Sequence, residues 1–153
     1  MKTRHLCAWT LALLATAGCG GDDPVTPEQL MGEYSLVMVN GVDLPATTWT
    51  SDGMSEEATG GQLVLESAPT AAPTDMLGGL YSLSLSLRTN VGGGPVDTNL
   101  FDGGLWTLDG DQLSFETGSP TLVLCGRVVD GVLILEMSRA GVPDPPPSLM
   151  FAR

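Results

Sequence analysis

The chain has 153 residues, a formal net charge of −12 and a sequence pI near 4.1. Its only histidine and its only lysine lie within the first five residues, so from residue 19 onward four arginines face eighteen acidic residues, a side-chain charge of −14. That part of the chain would repel nucleic acid and anionic lipid headgroups, and it lacks the residues for histidine-based triads, histidine zinc sites and lysine Schiff bases.

The beginning of the chain has the pattern of a secretory signal peptide. Basic Lys2 and Arg4 precede the apolar run Leu6–Leu14, and small residues follow. The run is shorter than the ~20 residues that a membrane-spanning helix needs. The small residues Thr16–Gly18 before Cys19 resemble the lipobox of bacterial lipoproteins, although that family favours leucine where Thr16 stands.

The lipobox resemblance implies removal of residues 1–18 and palmitate-type acylation of Cys19, which would anchor the chain to a membrane. Residues 19–31 would then form a flexible tether and a short helical turn, and Gly20 after the cysteine favours the outer membrane. The expected location is the bacterial cell envelope, on its periplasmic side. The alternative is ordinary cleavage after Ala17 or Gly18, which leaves Cys19 as a free thiol.

A helical turn and a hairpin are predicted next. Thr26 and Gln29 suit a capping box, Pro27 suits the first helical position, and Gly32 would end the helix. Alternation then predicts a strand with Tyr34, Leu36 and Met38 on one face. Asn40–Gly41 is a hairpin signal, and Val42–Leu44 would begin the returning strand.

The middle of the chain alternates between predicted loops and strands. Ala46–Gly61, which contains Trp49, has no clear period and is predicted as a long loop; Ser67–Gly79 is a second loop. Strands are predicted at Gln62–Glu66 and Tyr81–Arg88, the latter with Tyr81, Leu83, Leu85 and Leu87 on its apolar face. Asn90–Gly94 is predicted as a glycine-rich bend.

Two further hairpins follow. In the first, Leu105–Leu108 returns as Gln112–Glu116 through Asp109–Gly110–Asp111; in the second, Asp130–Gly131 is a type I′ signal between Val129 and Val132. Pro143–Pro147 would be an extended connector before a last strand at Leu149–Ala152. The predicted core faces of these hairpins contain Trp106, Leu108, Leu113, Phe115, Leu124, Gly126, Val128, Leu133, Leu135 and Met137.

These elements predict an all-β fold, a small antiparallel up-and-down barrel of about eight strands over residues 32–153. Gly32–Glu33–Tyr34 resembles the Gly-x-Trp motif of lipocalins, with tyrosine in place of tryptophan. Tyr34–Pro45 resembles the "Tyr-x-Leu-Val-x-Val-Asn-Gly-x-x-Leu-Pro" segment of small bacterial lipoproteins with a lipocalin-like domain. The resemblance covers roughly Gly32–Ala152 and lacks the C-terminal helix of larger lipocalins.

Two functional hypotheses follow. In the first, the barrel interior binds a small hydrophobic ligand, since eight-stranded barrels are either filled or hold one such molecule; the candidate residues are Trp106, Phe115, Leu83, Leu85 and Leu133. In the second, the barrel is filled and the acidic loops, with Trp49 as their aromatic residue, bind another protein of the envelope.

The remaining polar features favour structural roles. Asp109–Gly110–Asp111 lacks the spacing of a calcium loop and suits a tight turn. The adjacent carboxylates Asp22–Asp23 and Glu56–Glu57 are interpreted as solvated charge, and Cys125 as a small packed side chain. With Cys7 removed and Cys19 acylated, no intrachain disulfide is expected. We therefore predict no enzymatic activity, no cofactor and no metal.

Overall fold

A computed structural model describes residues 25–67, 78–142 and 144–153. The predicted signal peptide, Cys19 and the tether up to Pro24 lie outside these residues, as does most of the predicted loop Ser67–Gly79. Over the described ranges, no helix combines the length and the apolar character that crossing a bilayer requires.

The described chain is mostly β-structure, which confirms the predicted fold class. It contains one short helix and ten strands: α1 (Pro27–Leu30), β1 (Gly32–Val39), β2 (Val42–Asp43), β3 (Ala46–Ser51), β4 (Met54–Ser67), β5 (Gly78–Val91), β6 (Gly94–Asp109), β7 (Gln112–Thr117), β8 (Leu122–Val129), β9 (Val132–Arg139) and β10 (Ser148–Ala152).

Eight of these strands form a closed antiparallel barrel. Strands β4 to β10 pair in sequence order, and β1 joins β10 on one side and β4 on the other. The closing contact pairs Gly32–Ser35 with Gln62–Leu65. Beyond this contact β1 and β4 separate. There the short strand β2 pairs with β1, and the short strand β3 pairs with β4. Closure removes the exposed edges over this part of the sheet.

Apolar and polar residues alternate along the strands, so that apolar side chains fill the barrel interior. In β5 the predicted apolar face is buried and the serines point outward. In β8 and β9 the predicted core face is confirmed by the register that pairs Gly126 with Leu135. The side chains with less than 2% exposure are Trp106, Tyr34, Phe151, Leu63, Leu65, Leu83, Leu85, Leu113, Leu133, Leu135, Met137 and Leu149.

Three two-residue turns have both central residues at positive φ. The predicted Asn40–Gly41 turn has φ values of 52° and 77°, and the predicted Asp130–Gly131 turn has 51° and 78°. A third, Asp52–Gly53, has 49° and 79°. These values match type I′ hairpins, for which Asn-Gly and Asp-Gly are favoured.

The third turn overturns one prediction. Ala46–Gly61 is not a long loop, because β3 and the first half of β4 occupy it and pair through the Asp52–Gly53 turn. Strand β6 also begins at Gly94, far earlier than the predicted strand at Leu105.

A bulge in β1 changes one predicted core residue. The pairing of β1 with β10 shifts between Leu36 and Met38, so β1 contains one residue more than β10 over this stretch. Val39 is therefore fully buried, and Met38, predicted on the core face, is only half-buried.

The beginning and the end of the described chain meet at one end of the barrel, which we call the helix end. The Gln29 side chain accepts a hydrogen bond from the Thr26 N–H at 2.9 Å, as the capping box predicts. Helix α1 ends at Leu30 with Met31 as its C-cap, and the predicted stop Gly32 follows directly. Arg153 donates to the carbonyls of Gln29 and Met31 at 2.8 and 2.7 Å, and its guanidinium lies 4.8 Å from the centre of the Tyr34 ring. These contacts connect Arg153, which follows β10, to the α1 segment and to Tyr34 of β1.

Candidate functional site

The barrel interior brings the five predicted ligand-binding residues into one hydrophobic core. Leu83, Leu85, Trp106 and Leu133 are 0–2% exposed, and Phe115 packs against them from the edge of the core. Side chains with so little accessible surface contact neighbouring protein atoms over nearly all of their own surface. A ligand would therefore have to displace core side chains from their present packing.

Glycine positions on the core face show how closely the wall is packed. A Cβ atom at Gly126 would lie 2.4 Å from Leu135 Cδ2, and a Cβ at Gly104 would lie 1.9 Å from the Glu116 carbonyl oxygen. The Trp106 indole N–H donates to the Glu66 carbonyl at 3.2 Å, which satisfies the polar atom of the largest core side chain. The interior is consequently filled by the chain's own side chains.

A polar cluster lies beside this core. The Tyr81 hydroxyl donates to Asp102 Oδ2, and Asp102 Oδ1 accepts from the Ser119 N–H at 3.1 Å. The Tyr81 and Phe115 rings meet edge to face with centroids 5.0 Å apart. These contacts fasten the loop after β7 to β5 and β6, and they place Phe115 against a tyrosine rather than beside a cavity.

Alkaline pH is expected to destabilise the barrel. Burial raises the pKa of Tyr81, and the hydrogen bond to Asp102 and its charge raise it further; burial also raises the pKa of Tyr34, against an opposing effect of Arg153. The folded pKa values exceed the unfolded value of about 10, so this stability is present below pH ~10 and declines above it, as the unfolded chain ionises first. Urea unfolding midpoints measured from pH 8 to 12 should fall above pH ~10.

The Tyr81→Phe variant provides the matched comparison. It removes one of the two raised pKa values, so its midpoint should fall less steeply with pH than that of the wild type. Equal slopes for the two proteins would show that Tyr81 does not carry the effect.

A buried ion pair lies at the end of the barrel opposite the helix end. Arg139, the last residue of β9, donates through Nη2 to Glu56 Oε1. The Glu56 side chain is 7% exposed and the Arg139 side chain 18%. Thr48 Oγ1 lies 2.8 Å from Glu56 Oε1 and 3.1 Å from the Glu56 carbonyl oxygen. The interpretation of Glu56 as solvated charge is therefore wrong, because β4 directs it inward.

Trp49 lies beside this ion pair in the sheet. It pairs with Glu56 at the bulge between β3 and β4, and the residue is half-buried rather than presented on a loop. Within the described ranges, Trp49 Nε1 and Arg139 Nε are buried polar atoms without a hydrogen-bond partner. The role of Trp49 in binding a partner stays a prediction, but the long loop assumed for it is replaced by a strand.

The outer surface has features that sequence reasoning missed. Phe101 in β6 is 73% exposed and Val96, in the same strand, is 51% exposed. A depression of about 220 Å³ opens beside Phe101 on the outside of β4, β5 and β6, with Ser82 and Ser84 among its lining residues. Leu100 and Phe101 are adjacent apolar residues with polar neighbours on both sides, so no alternation indicated a strand there.

No cluster of three histidine, cysteine, aspartate or glutamate side chains suited to a metal ion is found among the described residues. Comparisons with protein-family models, with curated proteins and with solved structures gave no match.

Proposed function

We propose that this chain is a lipid-anchored lipoprotein of the bacterial cell envelope, with the outer membrane favoured, and that its barrel is a non-enzymatic module that binds another protein. One contrast supports the proposal. Four of the five predicted ligand-binding side chains, Leu83, Leu85, Trp106 and Leu133, are 0–2% exposed, whereas Phe101 on the outside is 73% exposed. Recognition by a filled barrel has to use its outer surface, and exposed aromatic side chains are common anchors of protein interfaces.

The lipid anchor supports the same function. Cys19 follows the lipobox-like residues Thr16–Gly18, and acyl chains on it would hold the chain at a membrane. The acidic barrel would be repelled by anionic headgroups and face the surrounding compartment. An anchored module with no open interior is suited to holding a partner protein near the membrane.

Photo-crosslinking in living cells tests the proposal on the full chain. A photoreactive amino acid would replace one exposed, outward-facing residue at a time on five strands, at Val37, Phe101, Ser114, Val123 and Ser138. We expect a covalent adduct with the same partner protein at some of these positions and not at others, because an interface covers only part of the surface. Membrane fractions analysed by mass spectrometry give the readout.

Two controls separate the alternatives. The Cys19→Ser variant should move from the membrane to the soluble fraction; if it stays with the membrane, the anchor assignment is wrong. An absence of protein adducts at all five positions contradicts the interaction function. Native mass spectrometry after exposure to envelope lipids covers the ligand hypothesis: a discrete added mass that a Leu85→Trp variant loses while keeping the circular dichroism of the fold would favour interior binding instead.

A further inference from the structure

Strand β6 has a free edge over more than half of its length. Strand β5 pairs with β6 from Gly94 to Thr107. On the opposite side, β7 pairs only with Gly104–Asp109. Within the described part of the chain, no strand lies along residues 94–103 on that side.

The direction of the backbone groups along this edge follows from one hydrogen bond. The Gly118 N–H donates to the Gly103 carbonyl at 3.1 Å, so Gly103 directs its backbone groups away from β5. In an antiparallel ladder, alternate residues point their N–H and C=O groups to the same side. The β5–β6 register is uninterrupted, so Asp97, Asn99 and Phe101 also direct their N–H and C=O groups to the free edge.

This edge lacks most of the features that prevent strand pairing. Proteins usually protect an edge with lysine, proline, a bulge or a very short strand. Here Pro95 lies only at the start of the edge, the β5–β6 ladder has no bulge, and no lysine is present in β6. The edge also carries exposed apolar side chains on both faces, Val96 on one and Phe101 on the other. Strand addition at such an edge supplies backbone hydrogen bonds and side-chain contacts together.

Charge indicates which kind of strand would add. The described residues include fifteen acidic side chains and four arginines. Positive charge is also neutralised within the protein, since Arg88 pairs with Asp97 and Arg139 pairs with Glu56. A second copy of the chain would bring the same excess of negative charge to the edge, which opposes self-pairing. A positively charged segment would be attracted.

We infer that the Val96–Asp102 edge of β6 binds a basic, extended segment of another protein as an added β-strand. This inference rests on the proposed interaction function and names its surface and the chemistry of its partner. An apolar side chain of the segment would pack beside Phe101. The backbone of the segment would pair with Asp97, Asn99 and Phe101.

The Asn99→Pro variant tests the edge, with Asn99→Ala as its matched control. Both remove the side chain that Ser86 contacts at 3.2 Å, but only proline removes the edge N–H and places a ring there. The Asn99 N–H faces the free edge, so the β5–β6 ladder keeps its bonds in both variants. Equal thermal midpoints for the two variants would show that the fold is retained.

The probes are three short synthetic peptides, used with the full chain purified in mild detergent. One alternates arginine with valine, one alternates glutamate with valine, and one is the arginine peptide with a central proline. Fluorescence anisotropy should show binding of the first alone. The Asn99→Pro variant should weaken it about tenfold, since a backbone hydrogen bond is lost and the approach is blocked, and Asn99→Ala should leave it nearly unchanged. Amide exchange at residues 97–101 should slow on binding.

Several results would overturn the inference. If the Asn99→Pro and Asn99→Ala variants bound the arginine peptide equally well, the β6 edge would not be its binding site. If the proline-containing peptide bound as tightly as the arginine peptide without proline, the binding would be nonspecific charge attraction. Concentration-dependent dimers that Asn99→Pro abolishes would identify a second copy as the occupant. Crosslinks to a protein at Val123 or Ser138 but not at Phe101 would retain the interaction function while refuting this surface.

Discussion

Replacing Arg139 with methionine is expected to lower the free energy of unfolding by about 3–5 kcal/mol, because it leaves the buried Glu56 carboxylate without its counter-charge. Both side chains are mostly shielded from water, at 7% and 18% exposure. Among the described residues, Thr48 would then be the one side-chain partner of that carboxylate. Urea unfolding at neutral pH, followed by circular dichroism, measures the loss.

The double variant Glu56→Leu with Arg139→Met should recover most of this stability, since a buried ion pair and an apolar pair of similar volume often differ little. The Thr48 hydroxyl would keep the Glu56 backbone carbonyl as its acceptor. Arg88→Met is the matched surface control: it breaks the exposed pair with Asp97 and should change the midpoint little. Equal losses at Arg88 and Arg139 would refute the assigned role of burial.

Replacing Trp106 with alanine is expected to cost about 3–5 kcal/mol, the usual range for removing a large aromatic side chain from a packed core. Trp106 is 0% exposed, lies opposite Phe115 in β7, and donates its N–H to the Glu66 carbonyl. Denaturant unfolding with an unchanged m-value would show that the fold is retained and only its stability has fallen.

Trp106→Ala also tests whether the barrel is filled. The variant should contain an apolar cavity, and such cavities bind small apolar molecules. Added indole should therefore raise the thermal midpoint of Trp106→Ala and leave that of the wild type unchanged. A rise for the wild type would show room in the native interior and favour the ligand-binding hypothesis. Trp49→Ala, at a half-buried site, is the control and should respond to indole no more than the wild type.

The parts of the fold that the sequence predicts are those with strong local signals. Alternation in Tyr81–Arg88 locates β5, and the Asp130–Gly131 turn places both faces of β8 and β9 correctly. The first half of β6 has no such signal. Residues 95–99 extend past the end of β7 and are exposed on both faces, so no alternation of apolar and polar residues is needed there.

The ion pair and the bulge could not be predicted for different reasons. Glu56 and Arg139 are 83 residues apart, and only the closed barrel brings them together. The buried Glu56 also interrupts the apolar period of β4, so the sequence of this strand resembles that of a loop. The Asp52–Gly53 dipeptide was the remaining local signal of a hairpin. The β1 bulge exchanges Met38 for Val39, two apolar residues that a pattern of hydrophobicity cannot distinguish.

The contact between Arg153 and the carbonyls of Gln29 and Met31 bears on how the barrel would be oriented under the proposed anchoring. It places Arg153 next to the segment that follows the proposed anchor, so under that proposal this end of the barrel would face the membrane. The Glu56–Arg139 pair and the β6 edge would then lie on the distal side, where an incoming protein would arrive. A purification tag or fluorescent protein fused after Arg153 would crowd the bilayer and disturb this contact. A label inserted at the Asp52–Gly53 turn would sit at the distal tip.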